Sequence, residues 1–221
     1  MANLWLYYNE RWKINDVDNN KNSAACYVRG HIVLWNCDRI ITCLAGGRFS
    51  VGSLKDNEKL SAIFGETDPK RPMISAVLGA FAMTAAFPGY LALCEWMRQF
   101  SEAYAVLMFI GAVLFFLPGI AHHVFCGIAE WFYIKLGKTE QARGAVAEFL
   151  KKSSVTMFVC YAGLIIFAVS FFIAVVSGIT TLPQWACVFN VLPLFIVLAP
   201  FRIVGTGNLV NAAAALGLLI S

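Results

Sequence analysis

The stretch that decides the fold is VTMFVCYAGLIIFAVSFFIAVVS, residues 155–177, in which no charged side chain occurs. A helix needs about 20 apolar residues to cross the hydrocarbon core of a bilayer, so this stretch predicts a transmembrane helix. Residues 73–96 and 102–123 have the same character, and residues 184–201 and 203–220 are apolar but shorter or interrupted by proline. The sequence therefore predicts an all-α, polytopic transmembrane helix bundle with four or five spans.

Charge is distributed unevenly along the chain. The protein is 59% apolar and only 14% charged, whereas a soluble domain carries about 25% charged residues. Residues 1–72 hold ten of the 17 Lys and Arg and eight of the 13 Asp and Glu. We therefore expect a polar, weakly organised N-terminal segment over 1–72, followed by the helix bundle over 73–221. Residues 31–44 are its most apolar part, but Asp38 and Arg39 disfavour a crossing there.

The basic residues predict an orientation. The loop over 135–154 carries five Lys and Arg, and the connection before residue 73 carries four more between residues 55 and 71. Because loops rich in Lys and Arg stay in the cytoplasm, we expect the N-terminus and the 135–154 loop on that side. The net charge of +4 comes from these short clusters rather than from one basic face. This pattern indicates the lipid bilayer, not nucleic acid, as the surface that the protein contacts.

Three short motifs carry a resemblance to a known family. They are Phe87-Pro-Gly-Tyr90, Gly119-Ile-Ala-His-His123 and Leu182-Pro-Gln-Trp185. Over about residues 46–221 the chain resembles an uncharacterised family of small multi-span bacterial membrane proteins. The resemblance implies a multi-pass protein of the bacterial plasma membrane and brings no activity with it. Residues 1–45 do not share it.

The main candidate functional residues lie on the extended second span. His122, Cys126 and Glu130 recur every four residues, so they share one stripe of the helix, and His123 lies seven residues before Glu130. Imidazole, thiolate and carboxylate groups all bind zinc. However, His31 is the only other histidine, and no second His-rich helix completes a metal site. Three interpretations of these residues remain open: hydrated groups at the cytoplasmic interface, a proton or ligand site, and a metal site. The sequence predicts no cofactor.

Two further polar residues lie near the last predicted spans, Arg202 and Asn208. In the predicted orientation they join His122, His123, Cys126 and Glu130 toward the cytoplasmic side, where together they could line a polar cavity. Ionisable groups inside a membrane protein are functional candidates by default. The alternative is that Arg202 reaches the lipid headgroups and that Asn208 links helices by hydrogen bonds.

Three classes of function fit this sequence. The first, which the sequence favours, is a structural or accessory membrane protein without catalysis, bound to a membrane-protein partner or to further copies of itself. The second is a small transporter or binder with a cytoplasm-facing polar cavity. The third is a membrane-embedded, metal-dependent hydrolase that uses the histidine stripe. Polar groups converging from several helices would support the second class, and a bound metal would support the third.

Overall fold

The computed structural model describes residues 16–220, with side-chain surroundings for residues 25–217. The described residues form eight α-helices, three 3-10 helices and one small hairpin. The α-helices are α1 (Asp16–Thr42), α2 (Asn57–Phe64), α3 (Lys70–Arg98), α4 (Glu102–Lys135), α5 (Glu140–Ser153), α6 (Val155–Val176), α7 (Val191–Leu198) and α8 (Thr206–Ile220). The hairpin pairs β1 (Cys43–Leu44) antiparallel with β2 (Gly47–Arg48). The 3-10 helices are Val51–Lys55, Gln184–Phe189 and Ala199–Phe201. The prediction of an all-α protein is confirmed.

Three helical segments of the described chain are long and apolar enough to cross a membrane. They are α3, α4 and the nearly continuous helix formed by α5 and α6. Helix α4 has 34 residues, which corresponds to about 51 Å at 1.5 Å per residue. Because a bilayer core is about 30 Å thick, α4 extends well past the length of one span, as its sequence predicts.

Facing glycines bring α4 and α6 into backbone contact. A Cβ atom on Gly163 would lie 2.4 Å from the amide nitrogen of Phe115 and 2.6 Å from the carbonyl oxygen of Gly111. Such distances are too short for any side chain, so the two helices approach through their main chains. The main core lies beside this contact, where the ring of Tyr90 packs against Phe116 and Phe167 at centroid distances of 4.7 Å each.

Helix α1 is the largest departure from the sequence-based expectation of a weakly organised segment before residue 73. It runs antiparallel along α3: Tyr27 packs on Gly89, and Gly30 packs against Ala82 and Ala86. Near the C-terminal end of α1, the Ser75 hydroxyl of α3 donates to the carbonyl oxygen of Cys37 at 2.9 Å. The inward face of α1 mixes apolar and polar side chains, so it has no clear apolar period in the sequence. That is why a hydropathy pattern does not reveal this helix.

Most of the chain's basic residues meet at one end of the bundle, which we call the basic end and define as residues 43–71 and 135–153. The Asn57 amide donates to the carbonyl oxygen of Lys138 at 3.1 Å, and the Tyr133 hydroxyl donates to the Asn57 side-chain oxygen at 2.9 Å. Arg143 also donates to the carbonyl oxygen of Leu54. The 3-10 helix Val51–Lys55 and α2 therefore cover the ends of α4 and α5.

The direction of α1 bears on the predicted orientation. The chain terminus that we expected beside the 135–154 loop lies outside the described residues. From Tyr27, level with Gly89 of α3, the helix continues back to Asp16, a distance of roughly 16 Å. Asp16 therefore lies at the end of the bundle opposite the basic end. The side of the membrane on which the N-terminus lies stays a prediction.

Residues 184–201, predicted as one span, are divided into a 3-10 helix, α7 and a second 3-10 helix. Asn190 makes this break: its side-chain oxygen accepts from the amide of Leu192 at 2.9 Å, and its side-chain nitrogen donates to the carbonyl oxygen of Ala168 at 3.0 Å. The apolar helix Val191–Phe201 is shorter than a full span. Arg202 and Gly205, both with positive φ, then turn the chain back into α8. By length and apolar composition together, three described helices could cross a membrane, so the predicted number of four or five spans is not confirmed.

Candidate functional site

Buried and half-buried polar side chains from four helices form a continuous set that we call the polar network. It consists of Tyr27, His31 and Asp38 from α1, Ser75 and Tyr90 from α3, His123 from α4, and Asn208 and Asn211 from α8. Its centre excludes solvent, since His31 and Tyr90 are 0% exposed and Asn211 is 1% exposed. The network links the two helices at the chain's ends to α3 and α4.

The half of the network farther from the basic end depends on Asn211. Its side-chain oxygen accepts from the hydroxyls of Tyr27 at 3.2 Å and Tyr90 at 2.5 Å. Its side-chain nitrogen donates to the carbonyl oxygen of Gly207 at 2.8 Å within α8. The two tyrosine rings stack at a centroid distance of 4.7 Å. One amide therefore satisfies two buried hydroxyls and joins α8 to α1 and α3.

The half nearer the basic end depends on Asp38. The Asn208 amide nitrogen donates to Asp38 Oδ2 at 2.8 Å, which leaves the Asn208 oxygen facing His31 Nδ1 at 3.0 Å. Because an amide oxygen can only accept, Nδ1 is the protonated nitrogen of His31. Its other ring nitrogen lies 3.4 Å from the Tyr90 hydroxyl. The contact with Asp38 orients the Asn208 amide, and that orientation directs the Nδ1 proton of His31 to the Asn208 oxygen.

His123 completes the set from α4. Its Nε2 lies 3.1 Å from the carbonyl oxygen of Ser75, so this nitrogen donates, and its Nδ1 lies 3.8 Å from Asp38 Oδ1. The Asp38 side chain is 26% exposed, whereas the His123 side chain is 10% exposed. Water therefore reaches this contact from the aspartate side.

The six candidates from the sequence fall into separate surroundings. His122 faces α6, with Nδ1 3.3 Å from the Thr156 hydroxyl and Nε2 3.6 Å from the Cys126 sulfur. His123 faces α3 and α1 instead, and Asp38 connects it with Asn208. Glu130 is buried elsewhere on α4. Arg202 is exposed, and its carbonyl oxygen accepts from Arg48 at 3.0 Å.

The central members of the network do not stand out in the sequence. Asp38 there counts only against a crossing, and no motif points to a role for Tyr27, His31 or Tyr90. A signal was present, because Tyr27, His31 and Asp38 recur at intervals of four and seven residues and so share one helix face. Nothing in the sequence, however, indicates that this face meets Asn208 and Asn211 some 170 residues later.

Two further properties bear on ligand binding. Among residues 25–217 no three His, Cys, Asp or Glu side chains lie close enough together to hold a metal ion. A shallow groove of about 270 Å³ lies between α3 and α4, and its lining is entirely apolar. The lining residues are Met73, Ala76, Val77, Ala80, Phe81, Val124 and Ile128. The groove therefore offers no polar group to a ligand.

Glu130 is the buried acidic side chain that the network does not include. It is 4% exposed, and its Oε2 has no hydrogen-bond partner. A buried polar atom without a partner is destabilising. We expect Glu130→Gln, which keeps the shape but cannot ionise and so avoids the cost of burying a carboxylate, to raise the free energy of unfolding by about 1 kcal/mol. Titration of the purified protein with a denaturing detergent, followed by tryptophan fluorescence, measures this change.

The matched control for Glu130 is Glu148→Gln on α5. Glu148 is exposed and pairs with Lys152 at 2.6 Å on the same helix. Exposed pairs contribute little, so this change should alter stability by less than about 0.5 kcal/mol. A loss of stability in Glu130→Gln that Glu148→Gln does not share would show that the Glu130 carboxylate binds a cation or a donor in the folded protein.

Taken as a class, this is an all-α protein with three helices long and apolar enough to cross a membrane, held to a fourth long helix by buried polar contacts. The chain belongs to the family of unknown function DUF6796, which it matches over residues 40–220. The family match confirms the resemblance to an uncharacterised family and begins near the end of α1. No curated protein and no solved structure matches the chain.

Proposed function

We propose that this protein is a multi-pass integral membrane protein, without catalysis of its own, that acts by binding another membrane protein through the outward face of α1. The observation that carries the proposal is a polar strip on that face, which we call the outer stripe. Its exposed residues are Cys26, Arg29, Ile32, Val33, Asn36 and Arg39. Helix α1 lies lengthwise on α3, so in a membrane this stripe would face lipid unless a partner covered it.

The depth of Arg29 makes lipid exposure costly. It lies beside Gly30, which packs against Ala82 and Ala86, close to the middle of α3. If α3 crosses the bilayer, the Cα atom of Arg29 lies within about 8 Å of the bilayer centre. An arginine at that depth costs about 2.5–3.5 kcal/mol on insertion scales. A protein partner that hydrogen-bonds the guanidinium would remove much of this cost.

The polar network supports a structural role rather than a substrate site. Asp38, His123 and Asn208 do converge from three helices, as a transporter or binder would require, but they are hydrogen-bonded to one another or to main-chain carbonyls. We interpret the network as the contact that holds α1 against α3 and α8. It thereby fixes the direction in which the outer stripe faces. We also propose that the basic end faces the cytoplasm, because Lys and Arg are retained there.

Site-specific photo-crosslinking in native membranes tests the proposal. A photoreactive phenylalanine analogue placed at Val33, in the middle of the outer stripe, should give a discrete protein adduct. The same analogue at Ile165 is the control, since that residue is likewise an exposed, β-branched side chain, 54% exposed against 41% for Val33, but lies on the apolar helix α6. We expect only lipid adducts from Ile165. If Val33 also gives lipid adducts alone, the outer stripe has no protein partner and the proposal is wrong.

A further inference from the structure

Arg29 differs from Arg39 and Arg98 in having no interaction partner among the described residues. Arg39 lies over the Trp35 ring at 5.3 Å, and Arg98 pairs with Glu95 at 2.9 Å. Among the described residues Arg29 makes no hydrogen bond and no ion pair, and its side chain is exposed. Asn36, two turns along the same stripe, uses its side-chain nitrogen only on its own helix, at the carbonyl oxygen of Ile32. The outer stripe therefore holds an unpaired cation and an amide with unused hydrogen-bonding capacity.

The spacing of the outer stripe is that of a helix-packing seam. Cys26, Arg29, Val33 and Asn36 follow one another at intervals of three, four and three residues, and Ile40 continues the series after four more. Alternation of three and four residues places side chains on the line along which two helices pack at a small crossing angle. The shape of the stripe thus favours a second helix over a loop or a globular surface.

Charge decides which helix fits. A second copy packed symmetrically about an axis normal to the membrane would place Arg29 against Arg29, and two unpaired guanidinium groups repel each other. A carboxylate, in contrast, would accept charge-assisted hydrogen bonds from Arg29. We infer that the outer stripe binds a transmembrane helix of another protein that carries Asp or Glu level with Arg29. This inference rests on the proposed function and identifies the chemistry of its partner.

Reconstitution with defined probe helices tests the inference. The full-length protein, labelled with a fluorophore, is placed in phosphatidylcholine vesicles with a synthetic 23-residue Leu/Ala helix that carries one central Asp. Matched probes carry central Asn or Leu. Because the acid is central, it reaches the depth of Arg29 in either orientation of the probe. We expect energy transfer to report association at least about tenfold tighter for the Asp probe than for the Leu probe.

Variants locate the effect. Arg29→Gln should abolish the preference for the Asp probe, and Arg29→Lys should retain part of it because the charge remains. Arg39→Gln should retain most of it, since Arg39 lies ten residues nearer the basic end. Both positions are exposed, so the fold does not depend on either side chain. Equal association of the Asp and Leu probes, or an Asp preference that survives Arg29→Gln, would overturn the inference.

Other occupants of the stripe give distinct outcomes. Energy transfer between labelled copies of this chain without any probe, lost in Arg29→Gln, would assign the stripe to self-association and overturn the inference. Displacement of the Asp probe by added phosphatidylglycerol would overturn it in favour of an anionic lipid. A protein adduct at Val33 together with indifference to the probe's acid would leave the proposed function standing while the acidic partner fails.

Discussion

Replacing Gly163 with leucine is expected to force α4 and α6 apart and to destabilise the bundle strongly. The new Cβ would lie 2.4 Å from the Phe115 amide nitrogen and 2.6 Å from the Gly111 carbonyl oxygen, both of them main-chain atoms inside helices. Main-chain atoms cannot turn aside as a side chain can, so the helices must move apart. We expect a loss of more than about 3 kcal/mol in the free energy of unfolding, measured by denaturing-detergent titration.

Gly144→Leu is the control, because a Cβ atom on Gly144 of α5 would meet nothing within 4 Å. It makes the same chemical change in a helix and should leave stability within about 0.5 kcal/mol of the unmodified protein. Equal stability of the Gly163 and Gly144 variants would contradict the close approach of α4 and α6. Loss of stability in Gly163→Leu alone would establish this glycine pair as the contact that sets their separation.

The helices that the sequence predicts correctly are those with uninterrupted apolar runs. Residues 73–96, 102–123 and 155–177 overlap α3, α4 and α6, because a long uninterrupted apolar run can be recognised from the sequence alone. Helix α1 is not visible in the hydropathy pattern because its inward-facing positions include Tyr27, His31 and Asp38. The hydrogen-bond partners of these side chains lie far along the chain. Hydropathy describes each residue by itself and carries no information about the residues that it contacts in the fold.

The candidate site shows the same division. His122 and His123 are adjacent in sequence, but successive residues of an α-helix point about 100° apart. One therefore faces α6 and the other faces α1 and α3. The sequence could place His123 and Asn208 toward the same end of the bundle, yet it could not identify Asp38 as the group between them. That contact requires α1 to cross the bundle, which its charge pattern disfavours.

Asn211→Leu is expected to destabilise the protein more than any other single change in the polar network. It removes the acceptor of two buried hydroxyls, those of Tyr27 and Tyr90. Tyr27 is 4% exposed and Tyr90 is 0% exposed. Each hydroxyl left without an acceptor costs about 1–3 kcal/mol, so we expect a loss of roughly 2–4 kcal/mol in the free energy of unfolding. Tyr90 retains a contact with His31 at 3.4 Å, which favours the lower part of that range.

A compensating variant separates this mechanism from a simple packing defect. In the triple change Tyr27→Phe, Tyr90→Phe and Asn211→Leu, no hydroxyl is left without an acceptor, and removal of all partners together is close to neutral. The triple variant should therefore be more stable than Asn211→Leu alone, although it has three substitutions instead of one. If it is less stable, the shape of Asn211 rather than its hydrogen bonds holds α8 to α1 and α3. In that case packing, and not polar pairing, would account for the position of α1.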